Sequence, residues 1–304
     1  MRALITGSEG FVGPYLSELL LKNNFEVYGT YLTTPTTIVD IHQIQTDITQ
    51  KEDAKNAVKE SKPDFVFHLA GFSSVGESWK KPELCRQINV EGTRNLLDAI
   101  KESNTNPRIL IISSSEVYGI PKENPIPETH TLNPISPYAK SRVEQEQLAT
   151  KYDLDLVISR SFNHTGPRQP KGFVVPDIAS QIASIESGKT PPTIEVGNTD
   201  AIRDFTDVRD IVKAYLTALQ KAPKGTYNIA SGKGTQIKTI IETLISFSNT
   251  NINLHKNPEK TRPLDTPIRI GDPTKIQQTT NWKPTTPLKK TLKDTLKYWR
   301  QKQQ

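Results

Sequence analysis

A tyrosine and an arginine four residues apart, Tyr138 and Arg142, are the side chains in this sequence best suited to proton chemistry. They follow Pro137 in a segment that we predict to be helical, and residues i and i+4 of a helix share one face. A free tyrosine has a pKa of about 10, and a neighbouring cation lowers that value by stabilising the phenolate. The spacing therefore lets Tyr138 and Arg142 contact one ligand, with the arginine able to stabilise the phenolate. Lys140 is only two residues from Tyr138, so we expect it to point elsewhere.

A glycine-rich turn near the start of the chain has the composition of an anion site. Gly7, Gly10 and Gly13 lie between a short apolar run, Ala3–Thr6, that we interpret as a buried strand and a segment with leucines at helical spacing. Glycine permits a tight turn and the close approach of a phosphate, while a helix N-terminus presents free N–H groups. Because the motif stands in the first βα unit, we favour a dinucleotide site over a plain strand-to-helix turn.

The second predicted strand, Phe25–Tyr31, ends without a charged side chain. In the dinucleotide fold, an acidic residue at this place binds the adenosine ribose hydroxyls, and an arginine accommodates a 2′-phosphate. The segment Gly29–Thr34 contains neither. Because no carboxylate on this strand would repel a 2′-phosphate, the sequence favours NADP(H), with NAD(H) as the second option.

Apolar runs separated by helical patterns continue along the chain. The runs that we interpret as further strands are Asp64–Ala70, Arg108–Ser113 and Leu154–Ser159. Strands that alternate with helices in this way indicate an α/β fold with a parallel sheet. His68 lies in the first of these runs, and we interpret it as a core histidine with satisfied hydrogen bonds. Asp47 follows a short strand, where it either contacts a ligand or caps the next helix.

The composition argues against several classes of protein. The 304 residues carry a formal charge of +6, but the lysines near the C-terminus share a predicted helix with regularly spaced leucines, which places them on its solvated face. No apolar run approaches the roughly 20 residues that span a bilayer, and the first residues lack a signal-peptide core. The single cysteine, Cys85, suits a reducing compartment. We therefore expect a cytoplasmic protein without nucleic-acid, membrane or metal partners.

Eight motifs in register give the chain a resemblance to a known family. They are TGSEGFVG at 6–13, HLAG at 68–71, NVEGT at 89–93, SSSEVYG at 113–119, SPYAKSR at 136–142, RSFNHTGP at 160–167, RDFTDV at 203–208 and TRP at 261–263. Together they resemble the extended short-chain dehydrogenases/reductases that act on nucleotide sugars. Within that family the chain is most similar to the GDP-4-keto-6-deoxy-D-mannose reductases and, next, to the GDP-mannose 4,6-dehydratases.

The resemblance implies an α/β architecture, a Rossmann-type doubly wound parallel sheet with a smaller C-terminal substrate domain. It implies that residues 1–165 bind NAD(P) and that a segment of about 205–232 returns to this domain. Residues 166–304 would then mainly form the nucleotide-sugar domain. Members of the family often form homodimers through a pair of helices, which would be those of residues 84–102 and 138–152 here.

The resemblance also implies roles for the residues at the motif positions. Tyr138 would donate a proton to the C4 oxygen of a sugar, Ser114 would hydrogen-bond that oxygen, and Arg142 would bind the nicotinamide ribose and stabilise the phenolate. Arg142 stands where the family has lysine. Glu116 would occupy a position that holds a catalytic carboxylate in related dehydratases.

Two further sets of residues are implied for the ligands. Those expected at the cofactor, besides Tyr138 and Arg142, are Gly7, Gly10, Phe11, Val12, Gly13, Asp47, Ile48, Leu69, Ala70 and Gly71. Those expected at the nucleotide sugar are Asn163, Val174, Arg203 and Arg262. The two arginines suit a diphosphate, which a guanidinium binds with paired hydrogen bonds.

The function that the resemblance implies is reduction of the 4-keto group of a GDP-4-keto-6-deoxyhexose by NAD(P)H, which gives GDP-D-rhamnose or a close relative. Two alternatives stay open. In a nucleotide-sugar dehydratase or epimerase, such as a 4,6-dehydratase, Glu116 would remove the C5 proton, but FVG at 11–13 replaces the QDG typical of that group. A catalytically impaired regulatory or scaffold protein would explain Arg142, but Ser114 and Tyr138 are both present.

Overall fold

Thirteen strands and eleven helices alternate along the part of the chain that the structure describes. In this computed structural model the described residues are 1–103, 105–257 and 266–303. The strands are β1 (Arg2–Thr6), β2 (Glu26–Tyr31), β3 (His42–Gln45), β4 (Phe65–His68), β5 (Arg108–Ser114), β6 (Leu156–Ser161), β7 (Asn163–Thr165), β8 (Thr193–Val196), β9 (Ile202–Asp207), β10 (Gly225–Ile229), β11 (Gly234–Gln236), β12 (Asn253–Lys256) and β13 (Ile268–Arg269).

The helices fall between these strands. They are α1 (Gly13–Lys22), α2 (Lys51–Ser61), α3 (Val75–Lys80), α4 (Pro82–Arg86), α5 (Gly92–Glu102), α6 (Pro137–Ala149), α7 (Val174–Glu186), α8 (Val208–Lys221), α9 (Ile237–Ile245), α10 (Thr274–Thr280) and α11 (Leu288–Gln301). A π-helical turn, Gln87–Glu91, joins α4 to α5, and a 3₁₀ turn, Ser115–Tyr118, follows β5. Ser136 caps α6, since its side chain accepts a hydrogen bond from the backbone N–H of Ala139.

The larger sheet has seven parallel strands in the order β10-β6-β5-β4-β1-β2-β3. The chain runs outward from β1 through β2 to β3, and then returns to pair β4 with the other side of β1. Strand order therefore reverses between β1 and β4, where Thr6 pairs with His68. In such sheets the ligand crevice lies outside the carboxyl ends of the strands at this reversal.

Helices cover both faces of the larger sheet. On one face, Leu16 and Leu20 of α1 share a fully buried core with Ile211 and Leu219 of α8. On the other face, a second core joins residues of α2 and α5 to alternate residues of the same strands. The strands are apolar on both sides because both sides are covered. The predicted doubly wound α/β sheet is confirmed.

A second, smaller sheet lies in the C-terminal half. Its strand β9 pairs in antiparallel fashion with β11 and in parallel with β7 and β13. Helices α7, α9 and α11 share a third apolar core with this half of the chain, and β8 pairs with β12. Strand β9 belongs to the smaller sheet, and the chain then continues through α8 to β10 of the larger sheet. The predicted limits of the two domains stay predictions.

Two predicted helices differ in detail from those observed. The helix expected over 84–102 consists of α4, the π-helical turn and α5, and the helix expected over 138–152 ends at Ala149. Along α11 the lysines are exposed and Leu292 and Leu296 are buried, as predicted. None of the described helices combines the length and the apolar character that a bilayer crossing requires.

Candidate active site

The glycine turn after β1 is held between the ends of two neighbouring strands. Gly7 has φ +69°, and a Cβ atom on it would lie 2.9 Å from the Cα of Ala70, so both backbone geometry and space require glycine. Its N–H donates to Oγ1 of Thr30 at the end of β2, at 3.1 Å. A Cβ on Gly13 would lie 2.2 Å from the carbonyl oxygen of Ser8. The turn therefore brings the N-terminus of α1 close to the carboxyl edge of the sheet.

Phe11 of the glycine turn contacts His164, which lies in the second half of the chain. No side chain caps the N-terminus of α1, which begins after Val12 in the described structure. The ring of Phe11 stacks on that of His164 with centroids 6.1 Å apart and an angle of 5°. Burial lowers the pKa of His164. Free N–H groups at this helix end suit a phosphate.

Asp47 and Ile48 stabilise the segment ahead of α2. Oδ1 of Asp47 accepts hydrogen bonds from both the N–H and the hydroxyl of Thr49, at 2.9 and 2.7 Å. Ile48 is buried, and its Cγ2 would lie 2.8 Å from a Cβ on Gly92. Asp47 therefore forms a turn with Thr49 and does not itself cap α2, whose N-cap residue is Gln50. Contact of these two residues with a cofactor stays a prediction.

His68 is a core histidine, as predicted. Its Nδ1 lies 2.8 Å from Oγ1 of Thr6, and its Nε2 lies 2.9 Å from Oγ1 of Thr93. Desolvation in the core lowers its pKa from 6.5 to about 3, and the charge of Arg142 acts in the same direction. The ring is therefore neutral at neutral pH and is no candidate for acid–base catalysis.

Arg142 is buried, with 4 % of its surface exposed, yet it forms no ion pair with any described residue. Nη1 donates to the carbonyl of Ile112 and to Oε1 of Gln145, both at 2.9 Å, and Nη2 donates to the carbonyl of Phe72 at 3.3 Å. Nε is buried without a hydrogen-bond partner. The guanidinium lies 5.2 Å from the centre of the Tyr138 ring. A buried cation without a counter-charge is costly unless a ligand completes its contacts.

Asn89 ties the loop after β4 to α6. Its Oδ1 accepts from the N–H of Phe72 at 2.8 Å, and its Nδ2 donates to Oγ of Ser141 at 2.9 Å. Gly71 has no room for a side chain, because a Cβ would lie 2.8 Å from Nη2 of Arg142. Gly71 thus passes directly beside the arginine, and Ala70 lies against Gly7 of the glycine turn. Contact of Leu69, Ala70 and Gly71 with a cofactor stays a prediction. Cys85 is buried nearby, within 3.4 Å of the hydroxyl of Ser141.

Ser114 is the last residue of β5 and Tyr138 belongs to α6, and these two elements pack together. The hydroxyl of Tyr138 forms no hydrogen bond with the described residues, although the residue is only 7 % exposed. Ser114 is half-buried, and its Oγ accepts from the N–H of Glu116 at 3.2 Å. The neighbouring Ser113 is buried and donates to Glu146, which leaves Ser114 as the serine that is open to a ligand. Lys140 is exposed, as predicted.

Glu116 is ion-paired with Arg269, a residue that the sequence interpretation missed. Nη1 of Arg269 lies 2.5 Å from Oε1 of Glu116, and the side chains are 2 % and 15 % exposed. Nη2 of Arg269 also donates to Oγ1 of Thr266 at 2.8 Å. The only signal in the sequence was an arginine inside an apolar run, two residues before Gly271. This ion pair connects the 3₁₀ turn that follows β5 of the larger sheet to β13 of the smaller sheet.

The predicted substrate residues lie on the smaller sheet and on α7. Arg203 of β9 is buried, donates to the carbonyl of Ile202 at 2.9 Å, and stands in register with Arg269 of β13. Asn163 of β7 is half-buried, and its amide forms no hydrogen bond with the described residues. Val174 begins α7 and packs against the third core. Arg262 lies outside the described residues.

Comparison with known proteins gives matches along nearly the whole chain. The sequence model of the family described as GDP-mannose 4,6 dehydratase matches residues 4–295. A GDP-6-deoxy-D-mannose reductase of Pseudomonas aeruginosa is 32% identical over 98% of this chain and 97% of its own length. A GDP-6-deoxy-D-talose 4-dehydrogenase of Aggregatibacter actinomycetemcomitans is 31% identical over 91% of this chain and 90% of its own.

Solved structures agree with these matches. RMD from Pseudomonas aeruginosa, complexed with NADPH, superposes with a TM-score of 0.88 at 30% identity and covers 99% of this chain and 100% of its own. A UDP-glucose 4-epimerase from Thermotoga maritima, with UDP-glucose, has a TM-score of 0.91 at 26% identity over 100% of both chains. The chain therefore belongs to the GDP-mannose 4,6 dehydratase family, within the extended short-chain dehydrogenases/reductases that the motifs indicated.

Proposed function

We propose that this chain reduces the 4-keto group of a GDP-4-keto-6-deoxyhexose to give GDP-D-rhamnose or a close relative. NADP(H) is the favoured cofactor and NAD(H) the second option. The observation that carries the proposal is the buried, unpaired guanidinium of Arg142 beside the phenol of Tyr138. The chain is an oxidoreductase by its family, and the relatives named as reductase and dehydrogenase act on GDP-linked sugars.

The residues present fit a dinucleotide cofactor. The glycine turn leaves no room for a side chain at Gly7 or Gly13 and presents the uncapped N-terminus of α1, which suits the pyrophosphate. The buried Nε of Arg142 lacks a hydrogen-bond partner, which suits a ribose or nicotinamide acceptor. When bound, a reduced nicotinamide supplies the hydride for C4.

The side chains of this chain supply the proton and the electrostatic environment. Tyr138 donates its phenolic proton to the C4 oxygen as that oxygen gains negative charge. The hydroxyl of Ser114 donates a hydrogen bond to the same oxygen. Arg142 stabilises the phenolate that remains, and it acts as a fixed charge because a guanidinium stays protonated at ordinary pH. A lysine at this position could also relay a proton, so the exchange changes how the phenol is reprotonated.

We assign the diphosphate of the sugar nucleotide to Arg203 and Arg262, and the sugar side of the site to Asn163 and Val174. The unpartnered amide of Asn163 supports its assignment. Formation of a homodimer through α4, α5 and α6, and a cytoplasmic location, are further parts of the proposal. Both are predictions from the family resemblance and from composition.

A 4,6-dehydratase is the second candidate, because the family model carries that name and Glu116 stands two residues after Ser114. A dehydratase would use Glu116 as the base that removes the C5 proton. In this chain Glu116 is ion-paired with the buried Arg269, and protonating it would leave that guanidinium without its counter-charge. The ion pair therefore supports the reductase over the dehydratase.

One experiment distinguishes these functions. The protein is incubated with GDP-mannose and oxidised cofactor, and separately with GDP-4-keto-6-deoxymannose and NADPH, while the absorbance of reduced nicotinamide is followed. We expect turnover only in the second mixture, with one NADPH consumed for each 4-hydroxy product. Conversion of GDP-mannose in the first mixture would establish the dehydratase. Cofactor binding without turnover in either mixture would favour the regulatory protein, and Tyr138→Phe provides the inactive control.

A further inference from the structure

A carboxylate lies at the end of β2 although β2 itself contributes none there. It belongs to Glu9 of the glycine turn, whose Oε1 accepts a hydrogen bond from the N–H of Leu32 at 3.0 Å. Leu32 is the residue that directly follows β2. The other oxygen of Glu9 forms no hydrogen bond with the described residues. Sequence reasoning looked for an acid on β2 and so missed an acid that reaches the same place from the preceding turn.

Hydrogen bonds to β2 hold the turn, and Glu9 with it, in position. The hydroxyl of Ser8 donates to the carbonyl oxygen of Thr30 at 3.0 Å, and the N–H of Gly7 donates to the hydroxyl of the same threonine. On the far side, Nε2 of Gln45 donates to the carbonyl of Leu32 at 3.1 Å. Glu9 is thus a solvent-exposed carboxylate fixed at the edge of a pre-formed crevice.

The charged side chains in the segment after β2 are acidic. Residues 32–50, which follow β2 and lead through β3 to α2, contain no lysine or arginine, but they do contain Asp40 and Asp47. A 2′-phosphate is ordinarily bound by arginine side chains at the end of β2. A carboxylate at the same place accepts hydrogen bonds from the 2′- and 3′-hydroxyls of a ribose and repels a phosphate.

We propose that Glu9 binds the adenosine ribose hydroxyls and makes NAD(H) a working cofactor of this chain alongside NADP(H). The inference rests on the proposed function, since it concerns the same dinucleotide site. It identifies Glu9, not a residue of β2, as the side chain that sets the balance between the two cofactors.

The test is a binding titration, which needs no substrate. Dissociation constants for NADH and NADPH are measured by the change in protein fluorescence or by calorimetry, for wild type, Glu9→Gln and Glu52→Gln. Glu52 is a matched control, because its side chain is 79% exposed and belongs to α2. In Glu9→Gln we expect the ratio of the two constants to shift toward NADPH by about fivefold, the effect of one like-charge contact near solvent. Glu52→Gln should keep the wild-type ratio.

The possible outcomes test the role of Glu9 and the proposed function separately. A ratio in Glu9→Gln equal to that of wild type, with both nucleotides bound, would overturn the role of Glu9 and leave the proposed function intact. The same holds if wild type binds NADPH and shows no binding of NADH. If folded wild type binds neither nucleotide, the proposed function itself is wrong.

Discussion

Two buried arginines, one on α6 and one on the neighbouring β6, have surroundings that differ in whether a counter-charge is present. Arg160 of β6 forms a bidentate ion pair with Glu146, at 2.7 Å, and also donates to the hydroxyl of Tyr118 at 3.1 Å. Arg142 is as deeply buried, but it is bound only by carbonyl and amide oxygens. Glu146 stands four residues after Arg142 on the same helix, where it could pair with it, yet it pairs with Arg160.

We interpret the first region as structural and, under the proposed function, the second as the ligand site. The charges of Arg160 and Glu146 are paired within the protein, and Ser113 adds a further hydrogen bond to Glu146. Around Arg142 the described residues hold the guanidinium in place but provide no counter-charge. The neighbouring hydroxyl of Tyr138 forms no hydrogen bond with them either. A buried cation that the fold leaves incomplete is the expected mark of a ligand site.

Replacing Tyr138 by phenylalanine should remove the proton donor and little else. We expect kcat to fall by roughly 10²- to 10⁴-fold, the usual contribution of a general acid, with the dissociation constant of the cofactor unchanged. Tyr152→Phe is the matched control, because the hydroxyl of Tyr152 donates to Asp98 of α5, away from Tyr138 and Arg142. A Tyr138→Phe enzyme with the wild-type rate and pH dependence would refute the assignment.

Breaking the structural ion pair should cost stability. Glu146→Ala leaves Arg160 buried without its counter-charge, and we expect a loss of about 3–5 kcal/mol in the free energy of unfolding. Glu144→Ala on the same helix breaks only the exposed pair with Arg86, whose expected contribution is below ~1 kcal/mol. Urea denaturation of both variants without ligand measures the contrast. Equal losses of unfolding free energy in the two variants would mean that the buried pair is worth no more to stability than the exposed pair.

Removing the functional arginine should affect ligand binding more than folding. In Arg142→Ala we expect cofactor binding to weaken by roughly tenfold to hundredfold, the effect of a lost hydrogen bond to a charged group, and turnover to fall with it. The unliganded protein should lose less stability than Glu146→Ala does, since no ion pair is broken. Arg142→Lys keeps the charge and should retain most of the activity. An unaltered cofactor affinity and rate in Arg142→Ala would show that the guanidinium serves only the fold.

The smallest effect is expected at Glu116, whose charge is paired like that of Glu146. Glu116→Gln should lower the reductase rate by less than about tenfold, because the carboxylate faces Arg269 and reduction requires no second acid or base. The measurement is kcat and KM for NADPH-dependent reduction, beside Tyr138→Phe as the reference for a lost catalytic group. A loss as large as in that variant would place Glu116 in the reduction itself.

The sequence predicted features that depend on local spacing. The glycine turn, the strand-to-helix alternation and the placing of Tyr138 and Arg142 on one helix face all follow from residues within one or two turns of each other. Contacts across long sequence separations escaped it. Arg269 and Glu116 are 153 residues apart, and Glu9 reaches Leu32 across 23. The spacing of residues in a sequence does not indicate which distant residue a charged side chain will contact. These pairs could therefore be identified only from the structure.

The central claim is that this chain transfers a hydride to C4 of a keto sugar while Tyr138 protonates the oxygen. The most direct test uses NADPH that carries deuterium at the transferable position of the nicotinamide, together with GDP-4-keto-6-deoxymannose. Mass spectrometry and NMR then locate the label in the sugar product. We predict one deuterium at C4 for each NADPH consumed, and the same labelled product at the much lower rate expected of Tyr138→Phe. A 4-hydroxy product without deuterium at C4, or intact NADPH beside an unchanged keto sugar, would contradict it.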